Sequence, residues 1–205
     1  MKCVCFDIGN VLCHLDFTPF QKALSEQLDI TVSQAEYFYN RTQKLHDLGL
    51  TNLSDELRDH FRISSKSLVD ALMHDWYSII TPEDKMFDFV KWCFDNNIKI
   101  FIVSNIGIEH ANYMRNVFNQ KLGAKIIDDP NFITFFSCDV GARKPSYLYF
   151  KTLLDLYPET NGALYIDDLV ENLESGKKFG LKTFNLNLRN VDDIDSEIEK
   201  IKLLI

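Results

Sequence analysis

The sequence predicts an α/β fold: a doubly wound, Rossmann-like parallel sheet with an inserted all-helical cap. From residue 81 onward, short apolar runs alternate with segments of helical periodicity, a pattern typical of a parallel sheet with helices on both faces. Another apolar run precedes Asp7, near the start of the chain. Between these parts, residues 18–80 show helical periodicity only. We therefore assign residues 1–16 and 81–205 to an α/β core, and residues 17–80 to the cap.

The predicted cap contains four helices. The first begins at Thr18-Pro19, with Thr as the capping residue and Pro at the first helical position. A capping box at Ser33-Gln34-Ala35-Glu36 opens the second helix. Ser54 precedes the third, and the pattern SLVDALMHDWYSII predicts a fourth that runs to Ile80. No alternating strand pattern interrupts these segments, so the block is predicted to be helical throughout.

The predicted core resumes with a helix that starts at Thr81-Pro82-Glu83-Asp84 and ends at Asn96-Asn97. The run IKIFIVSN follows, and its Ile and Val content is typical of a buried parallel strand. Next come the helix IEHANYMRNVF, the strand FITFFS, the helix YLYFKTLLDLY, the strand GALYID, the helix LVENLESGKKF, the strand LKTFNLN and the helix DIDSEIEKIKLLI. Strands that alternate with helices in this way indicate one parallel sheet with helices on both faces.

Charge and hydropathy exclude several classes of protein. With 22 Lys+Arg against 30 Asp+Glu, the formal charge is -8, which argues against electrostatic binding of nucleic acid or an acidic membrane. We expect neither partner, and an anionic substrate would need local positive charge. No apolar run approaches the roughly 20 residues that span a bilayer. The N-terminus also makes a poor signal peptide. The sequence carries no signal for a particular oligomeric state.

The cysteines indicate a reducing compartment. There are 5, an odd number, and they form neither a CxxC motif nor a Cys/His finger. Most lie inside apolar runs, so we expect reduced core thiols in a cytoplasmic protein. The residues are Cys3, Cys5, Cys13, Cys93 and Cys138.

Polar side chains follow four of the predicted strands. The carboxyl ends of parallel strands meet at one edge of the sheet, so we expect these side chains to converge. Each has an ordinary structural explanation alone, as a turn residue, a helix cap or a solvated charge. Together they supply a nucleophilic carboxylate, a hydroxyl group, an ammonium group and a carboxylate pair. The residues are Asp7, Ser104 with Asn105, Arg143 with Lys144, and Asp167 with Asp168.

The segments around these residues resemble the four motifs of the haloacid dehalogenase-like (HAD) hydrolase superfamily. FDIGNVL is similar to the first motif, IVSN to the second, SCDVGARKPSYLYF to the third and YIDDLVENLESGKKFGLKT to the fourth. They occur in the family's order and cover both ends of the core. The helical block is similar to the cap that the family inserts after its first motif. Within the superfamily, the sequence most resembles sugar-phosphate phosphatase-like members with a D-x-G-N first motif.

The resemblance implies a Mg²⁺-dependent phosphatase that acts on a small phosphorylated metabolite, with sugar phosphates among the candidates. Asp7 would attack phosphorus and form an aspartyl-phosphate, which water would hydrolyse. Mg²⁺ would be held by Asp7, the backbone carbonyl of Gly9 and Asp168, with Asp167 in or next to its coordination shell.

The resemblance also implies roles for the other strand-end residues. Ser104 would donate a hydrogen bond to the phosphoryl oxygens, together with backbone amides near Ile8 and Asn105. Lys144 would pair with both the nucleophile and the phosphate. Asn172 would position the acidic loop. From the sequence, Arg143 is expected at the surface.

One position departs from the family pattern. Most phosphatases of the family have a general-acid Asp two residues after the nucleophile, where this chain has Gly9. Proton transfer of that kind is typically worth about 10²- to 10⁴-fold in rate. Water or a cap residue, with Asp16 and His46 as candidates, would have to supply the proton. The cap residues expected to face the site are Tyr39, Arg41, Gln43, His46 and Asn52.

Two other functions remain open from the sequence. Because of Gly9, the chain could be a weak or inactive module that binds phosphate and serves a regulatory role. Dehalogenation would use the same Asp7 on carbon, but it needs no metal ion. The Asp167-Asp168 pair argues against dehalogenation, since that reaction has no phosphate charge to neutralise.

Overall fold

The computed structural model describes residues 2–205. The strands are, in chain order, β1 (Cys3–Phe6), β2 (Cys13–Leu15), β3 (Ile80–Pro82), β4 (Lys99–Ser104), β5 (Phe132–Phe136), β6 (Leu164–Asp167) and β7 (Lys182–Asn185). The helices are α1 (Thr18–Leu28), α2 (Val32–Asp47), α3 (Leu53–Phe61), α4 (Lys66–Ser78), α5 (Asp84–Asp95), α6 (Ile108–Leu122), α7 (Ala124–Ile127), α8 (Ser137–Val140), α9 (Tyr147–Leu156), α10 (Val170–Lys178) and α11 (Ile194–Leu204). Short 3₁₀ turns lie at Pro158–Thr160 and Leu188–Asn190.

Five strands form one parallel sheet in the order β5-β4-β1-β6-β7. The strand that opens the chain is therefore the central one, and the chain winds outward from it in both directions. This confirms the predicted α/β fold with a doubly wound parallel sheet. Because all five strands run the same way, their carboxyl ends share one edge, where Asp7, Ser104 and Asp167 lie.

Both faces of the sheet are buried. Val4 and Phe6 belong to one apolar cluster, and Cys3 and Cys5 belong to another on the opposite face, as the alternation of side chains along a strand requires. Helices cover each cluster, which explains why β1 is apolar at every position. Burial on both faces fixes the register of the strand and therefore the position of the acid that follows it.

Helices α1 to α4 lie between β2 and β3, and we call these four helices the cap. Strands β2 and β3 pair antiparallel, with Cys13 opposite Pro82 and Leu15 opposite Ile80. The predictions of a helix through Ile80 and of a helix start at Thr81-Pro82 are therefore wrong. Residues 80–82 are extended because they pair with a segment that is distant in sequence. A local sequence pattern does not indicate such pairing. The next helix begins at Asp84, with Glu83 as its cap.

Two predicted helix starts also differ from the structure. The capping box of α2 is formed by Thr31 and Gln34, whose side chains bond each other's backbone amides at 3.2 and 2.8 Å, so the prediction of Ser33 and Glu36 is wrong. Thr18 does not cap α1. Its amide instead donates to a carboxylate oxygen of Asp16 at 3.0 Å.

Within residues 2–205 no disulfide links the cysteines, and those other than the half-buried Cys138 are buried. Over residues 2–205, no helix combines the length and apolar character needed to cross a membrane.

Candidate active site

Asp7 is positioned by the end of β1 and by a tight turn that follows it. Its amide donates to the carbonyl of Ile166 in the neighbouring strand at 2.9 Å. The carbonyl of Ile8 then accepts from the amides of Leu12 and Cys13 at 3.0 and 2.9 Å, which reverses the chain. Asn10 takes a left-handed conformation in this turn, with φ of 53°. The Gly9 carbonyl takes part in none of the hydrogen bonds that close the turn, so it remains an available oxygen.

Lys144 lies at the centre of the site and is only 1% exposed. Its Nζ atom lies 3.0 Å from Asp7 Oδ1 and 2.6 Å from Asp167 Oδ2. Nζ also donates to the carbonyl of Val103 at 2.8 Å. The backbone of Lys144 is held by the side chain of Asn105, which accepts from its amide at 2.7 Å and donates to its carbonyl at 2.9 Å. The ammonium group is therefore fixed from both ends.

Asp167 is fully buried and its carboxylate is surrounded by donors. Besides Lys144, the hydroxyl of Tyr165, the amide of Leu169 and the Nδ2 atom of Asn172 donate to it. Both carboxylate oxygens are thus already engaged. This arrangement suits a residue that orients Lys144, and Asn172 holds the acidic loop in place from the next helix.

The carboxylates of Asp7, Asp167 and Asp168 come together, with one oxygen of each within 4.8 Å of the others. Asp168 is held in turn by the amide of Asn10, whose Nδ2 atom donates to Oδ2 at 3.0 Å. An all-oxygen donor set of carboxylates next to a free backbone carbonyl, here that of Gly9, is the kind that Mg²⁺ and Ca²⁺ prefer. The residues present therefore fit a hard divalent cation.

Burial and mutual repulsion shift the titration of these groups. Burial raises the pKa of Asp7 to about 7, although Lys144 and hydrogen bonding to Ser104 act in the opposite direction. Burial likewise raises the pKa of Asp168. Burial disfavours the charged form of Asp167 too, but pairing with Lys144 holds its pKa below the ordinary value. Burial opposes the charge of Lys144 as well, and its two carboxylate partners outweigh this and raise its pKa. One cation thus serves two buried acids, and the site favours additional positive charge.

The predicted phosphate-binding residues Ser104 and Asn105 differ in which of their groups is available to a phosphate. Ser104 ends β4, is 4% exposed and lines the same cavity as Asp7 and Ile8. The Asn105 side chain is engaged with the backbone of Lys144, so a phosphate contact from this residue would come from its backbone amide. The loop after β4 is fastened by the buried Ser137, whose hydroxyl accepts from the amide of Ile106 at 2.8 Å. Sequence reasoning missed Ser137 because only the fold brings it to that loop.

A cavity of about 420 Å³ lies between the sheet edge and the cap. Of the cap residues predicted to face the site, Tyr39, Gln43 and His46 line it, whereas Arg41 and Asn52 are not on its wall. The cavity volume is within the range of small-molecule sites.

Two further expectations are corrected by the same region. Arg143, expected at the surface, is half-buried on the cavity wall, and its Nη2 atom lies 2.8 Å from Asp47 Oδ2 in the cap. Asp16, a candidate proton donor, is exposed, bonds the amide of Thr18 and is not on the cavity wall. Only the approach of the cap to the core turns Arg143 inward.

The cap is attached to the core across the cavity. Glu109, in the first turn of α6, accepts from the amides of Leu53 and Ser54 at 2.7 and 3.2 Å. His110 Nε2 lies 2.9 Å from the carbonyl of Trp76, and the two rings stack at 4.2 Å. Together with the Arg143–Asp47 ion pair, these contacts close the cap over the acids.

No protein-family model matches the sequence. Among solved structures, a HAD-family enzyme from Bacteroides thetaiotaomicron in a magnesium complex has 19% identity and a TM-score of 0.75, over 96% of this chain and 98% of that chain. A predicted HAD-like family hydrolase from Porphyromonas gingivalis has 16% identity and a TM-score of 0.73, over 98% of both chains. A HAD phosphatase from Thermococcus onnurineus has 19% identity and a TM-score of 0.64, again over 98% of both. The chain therefore has the fold of HAD-family enzymes over nearly all of its length.

Proposed function

We propose that the protein is a Mg²⁺-dependent hydrolase of small phosphate monoesters that works through an aspartyl-phosphate on Asp7. The observation that carries this proposal is the position of Lys144, buried between Asp7 and Asp167 beside a third carboxylate at the cavity between core and cap. The resemblance of the sequence to D-x-G-N phosphatase-like members supports it. So does the Bacteroides enzyme of the same fold, which was solved with magnesium and inorganic phosphate.

Asp7, the Gly9 carbonyl and Asp168 would hold the metal ion, with Asp167 behind them as the partner of Lys144. Bound there, Mg²⁺ would neutralise charge on the acids and on a phosphoryl group. Without it, a dianionic phosphate would meet three carboxylates and a single ammonium group. This charge balance is the physical reason that we expect activity to depend on the cation.

Asp7 is the nucleophile in this proposal. A carboxylate oxygen of Asp7 forms a bond to phosphorus while the bond from phosphorus to the leaving oxygen breaks, and the electron pair stays on that oxygen. Lys144 lowers the pKa of Asp7 and, together with the bound cation, would favour its ionised form. Lys144 would also offset the charge of the phosphoryl oxygens, and the Ser104 hydroxyl would donate to them. Water then attacks the phosphorus of the aspartyl-phosphate, which releases inorganic phosphate and restores the carboxylate.

The leaving oxygen needs a proton that Gly9 cannot give. A Cβ at this position would lie 2.8 Å from Cδ1 at the flexible end of Leu15, so a longer side chain here requires the Leu15 side chain to move. Burial lowers the pKa of His46, which makes its imidazole neutral near pH 7 and a poor acid. We propose that water protonates the leaving group, which favours substrates whose leaving oxygen has a low pKa.

A second candidate function is a phosphate-binding regulatory module without turnover. The Gly9 and Leu15 arrangement favours it, because the chain keeps a complete charge-neutralising site and lacks a general acid. This module would bind phosphate and a divalent cation with the same residues.

The two candidates are separated by measuring phosphate release from a panel of phosphate monoesters with Mg²⁺ or with a chelator. We expect turnover that needs Mg²⁺ and is abolished in Asp7→Asn, whereas Asp16→Asn, an exposed acid outside the cavity, serves as the matched control and keeps its rate. Binding of inorganic phosphate with Mg²⁺ but no release from any ester would favour the regulatory module. Turnover that persists in Asp7→Asn would contradict both.

A further inference from the structure

The buried polar atoms that lack a hydrogen-bond partner within residues 2–205 are concentrated in one place. They are His46 Nδ1 and Nε2, Asp47 Oδ2, Thr51 Oγ1 and Arg143 Nε. All four residues line the cavity between cap and core, and His46 is only 5% exposed. Each buried donor or acceptor without a partner costs free energy, and native proteins carry few of them. Their concentration on one cavity wall indicates a surface built to face a ligand.

The chain places this cluster next to the reacting groups. His46 and Asp47 are in the last turn of α2, and Thr51 lies in the loop that leads to α3. That loop is fixed to the core, because Glu109 holds the amides of Leu53 and Ser54 immediately beyond it. Arg143 directly precedes Lys144, so the cluster adjoins the ammonium group that contacts Asp7. A ligand held by its phosphate at Asp7 would therefore present its other end to the cluster.

The cluster is electrically neutral. Arg143 Nη2 lies 2.8 Å from Asp47 Oδ2, so the two side chains form an ion pair. The angle of this contact is outside the range of a hydrogen bond. The buried imidazole of His46 carries no charge near pH 7, because burial lowers its pKa. Glu109 adds a carboxylate to the same wall. A second anionic group on the ligand would find no unpaired cation in this cluster.

The unpartnered atoms are a mixture of donors and acceptors. A neutral imidazole offers one of each, the Thr51 hydroxyl offers both and Arg143 Nε donates. Asp47 Oδ2 is already 2.8 Å from Arg143 Nη2 and can accept a further bond through its other lone pair. Hydroxyl groups on a ligand also donate and accept, so they can satisfy such a set fully. Beside the cluster, the rings of Phe17, Tyr39 and Trp76 line the cavity and pack on one another at 4.9 to 6.1 Å, which provides an apolar wall for carbon atoms.

We propose that His46, Asp47, Thr51 and Arg143 form a specificity subsite that binds hydroxyl groups of an uncharged, polyhydroxylated leaving group. The inference rests on the proposed function for the phosphate end of the ligand. Beyond that function, the inference specifies the chemical class of monoester that is selected and the residues that select it. Thr51 and His46 contact the ligand in this assignment, and neither takes part in the chemical step.

Three esters of similar length test the subsite. Sorbitol phosphate carries hydroxyl groups and no further charge, phosphogluconate replaces a terminal hydroxymethyl group with a carboxylate, and hexyl phosphate has no hydroxyl groups. We expect kcat/KM to be highest for sorbitol phosphate, by about tenfold or more over each of the others, since one unsatisfied buried polar group is worth about that factor.

Thr51→Val and His46→Leu should each lower kcat/KM for sorbitol phosphate about tenfold and leave hexyl phosphate nearly unchanged. His46→Gln, which keeps a donor and an acceptor, should recover part of the loss. Thr42→Val and His60→Leu are matched controls in the cap. Thr42 bonds the carbonyl of Phe38 within α2, His60 packs on Phe38, and neither lines the cavity. Equal losses on sorbitol phosphate and hexyl phosphate, or a preference for phosphogluconate, would overturn the inference.

A binding measurement separates failure of the subsite from failure of the proposed function. Calorimetry of the three esters with Mg²⁺ and the Asp7→Asn protein should give the tightest binding for sorbitol phosphate, and Thr51→Val should remove that preference. If wild-type protein releases phosphate from no ester but this preference is present, the subsite stands and the phosphatase proposal fails. If hexyl phosphate is hydrolysed and no ester is preferred in binding, the subsite fails and the phosphatase stands.

Discussion

The carboxylate of Glu109 accepts a hydrogen bond of 2.7 Å from the backbone amide of Leu53. A side chain in the first turn of core helix α6 thereby caps the first turn of cap helix α3, which has no capping side chain of its own at Asn52. Capping of this kind normally comes from a neighbouring residue in sequence. The N-terminal capping of α3 and the attachment of the cap to the core therefore depend on the same contact.

We predict that Glu109→Gln lowers the free energy of unfolding by about 1 kcal/mol, the usual value of a helix cap, and raises KM more than it lowers kcat. The amide keeps one acceptor but loses the charge that favours a helix N-terminus. Urea unfolding and steady-state kinetics measure the two effects. Glu171→Gln is the matched control, because Glu171 also lies in the first turn of a core helix and is exposed. An equal effect of the two variants would contradict the assigned role of Glu109.

The pKa of Asp7 predicts how the stability of the metal-free protein changes with pH. Its folded value of about 7 lies above the ordinary value of 3.8, so between these values the folded state holds a proton that the unfolded chain has lost. Stability from this group therefore falls as pH rises through that window, and the penalty is complete above the folded pKa. Asp7→Asn, which mimics the protonated acid, should become more stable than wild type as pH rises from about 5 to about 8, by about 1 kcal/mol or more.

Chemical denaturation in a chelating buffer at several pH values measures this difference. Asp16→Asn is the control. The pKa of Asp16 is lowered by its bond to Thr18, so this acid is ionised in both states over the window and its variant should show a constant difference from wild type. A difference between wild type and Asp7→Asn that is independent of pH would show that Asp7 is not held in a raised-pKa environment.

Removal of Lys144 should lower the free energy of unfolding, because the buried acids Asp7 and Asp167 lose their cation. Lys144→Met leaves Asp7 and Asp167 without their shared cation, and breaking a buried pair typically costs about 3 to 5 kcal/mol. We expect the double variant Lys144→Met, Asp167→Asn to recover part of the stability and none of the phosphatase activity. Lys151→Met, which removes an exposed lysine paired with Asp155, should change stability little. If Asp167→Asn fails to restore stability in the Lys144→Met background, the two residues are not coupled as the structure indicates.

Asn105 should act on the reaction through Lys144. Asn105→Ala removes both hydrogen bonds to the Lys144 backbone, whereas Asn105→Asp keeps the acceptor and loses the donor. At roughly 1 kcal/mol for each bond, both variants should lose stability, and in the Asp variant the loss includes repulsion between its second carboxylate oxygen and the Lys144 carbonyl. We also expect kcat to fall in both variants with a smaller change in KM, because Lys144 is displaced from the reacting groups. Loss of phosphate binding alone would instead indicate that Asn105 contacts the substrate directly.

Because position 9 carries no general acid, we predict slow hydrolysis of substrates whose leaving oxygen needs a proton. Gly9→Asp requires the Leu15 side chain to move, since the new Cβ would lie 2.8 Å from Leu15 Cδ1. Combined with Leu15→Ala, it should raise kcat for alkyl phosphates about tenfold or more, a modest part of the usual effect of general-acid catalysis. It should change kcat little for p-nitrophenyl phosphate, whose leaving group needs no proton. The Leu15→Ala single variant controls for the enlarged cavity, and an equal gain on both substrates would argue against proton transfer.

The order of the five parallel strands and of the longer core helices was readable from the sequence, because the central strands β1, β4 and β6 are buried apolar runs and each longer helix has its own amphipathic period. The edge of the sheet that carries Asp7, Ser104 and Asp167 followed from the same pattern, since parallel strands end together. These features depend on local chemistry and on burial, which a sequence records directly.

Only the tertiary structure decided the rest. Residues 80–82 form a strand because Cys13–Leu15 pairs with them, Arg143 turns inward because Asp47 lies above it, and Glu109 caps a helix that begins more than 50 residues earlier. The side chain of Asn105 likewise bonds the backbone of Lys144 because the fold brings these two segments together. In each case the partner comes from a distant part of the chain, and the contact contributes free energy only in the folded protein, so no local pattern could record it.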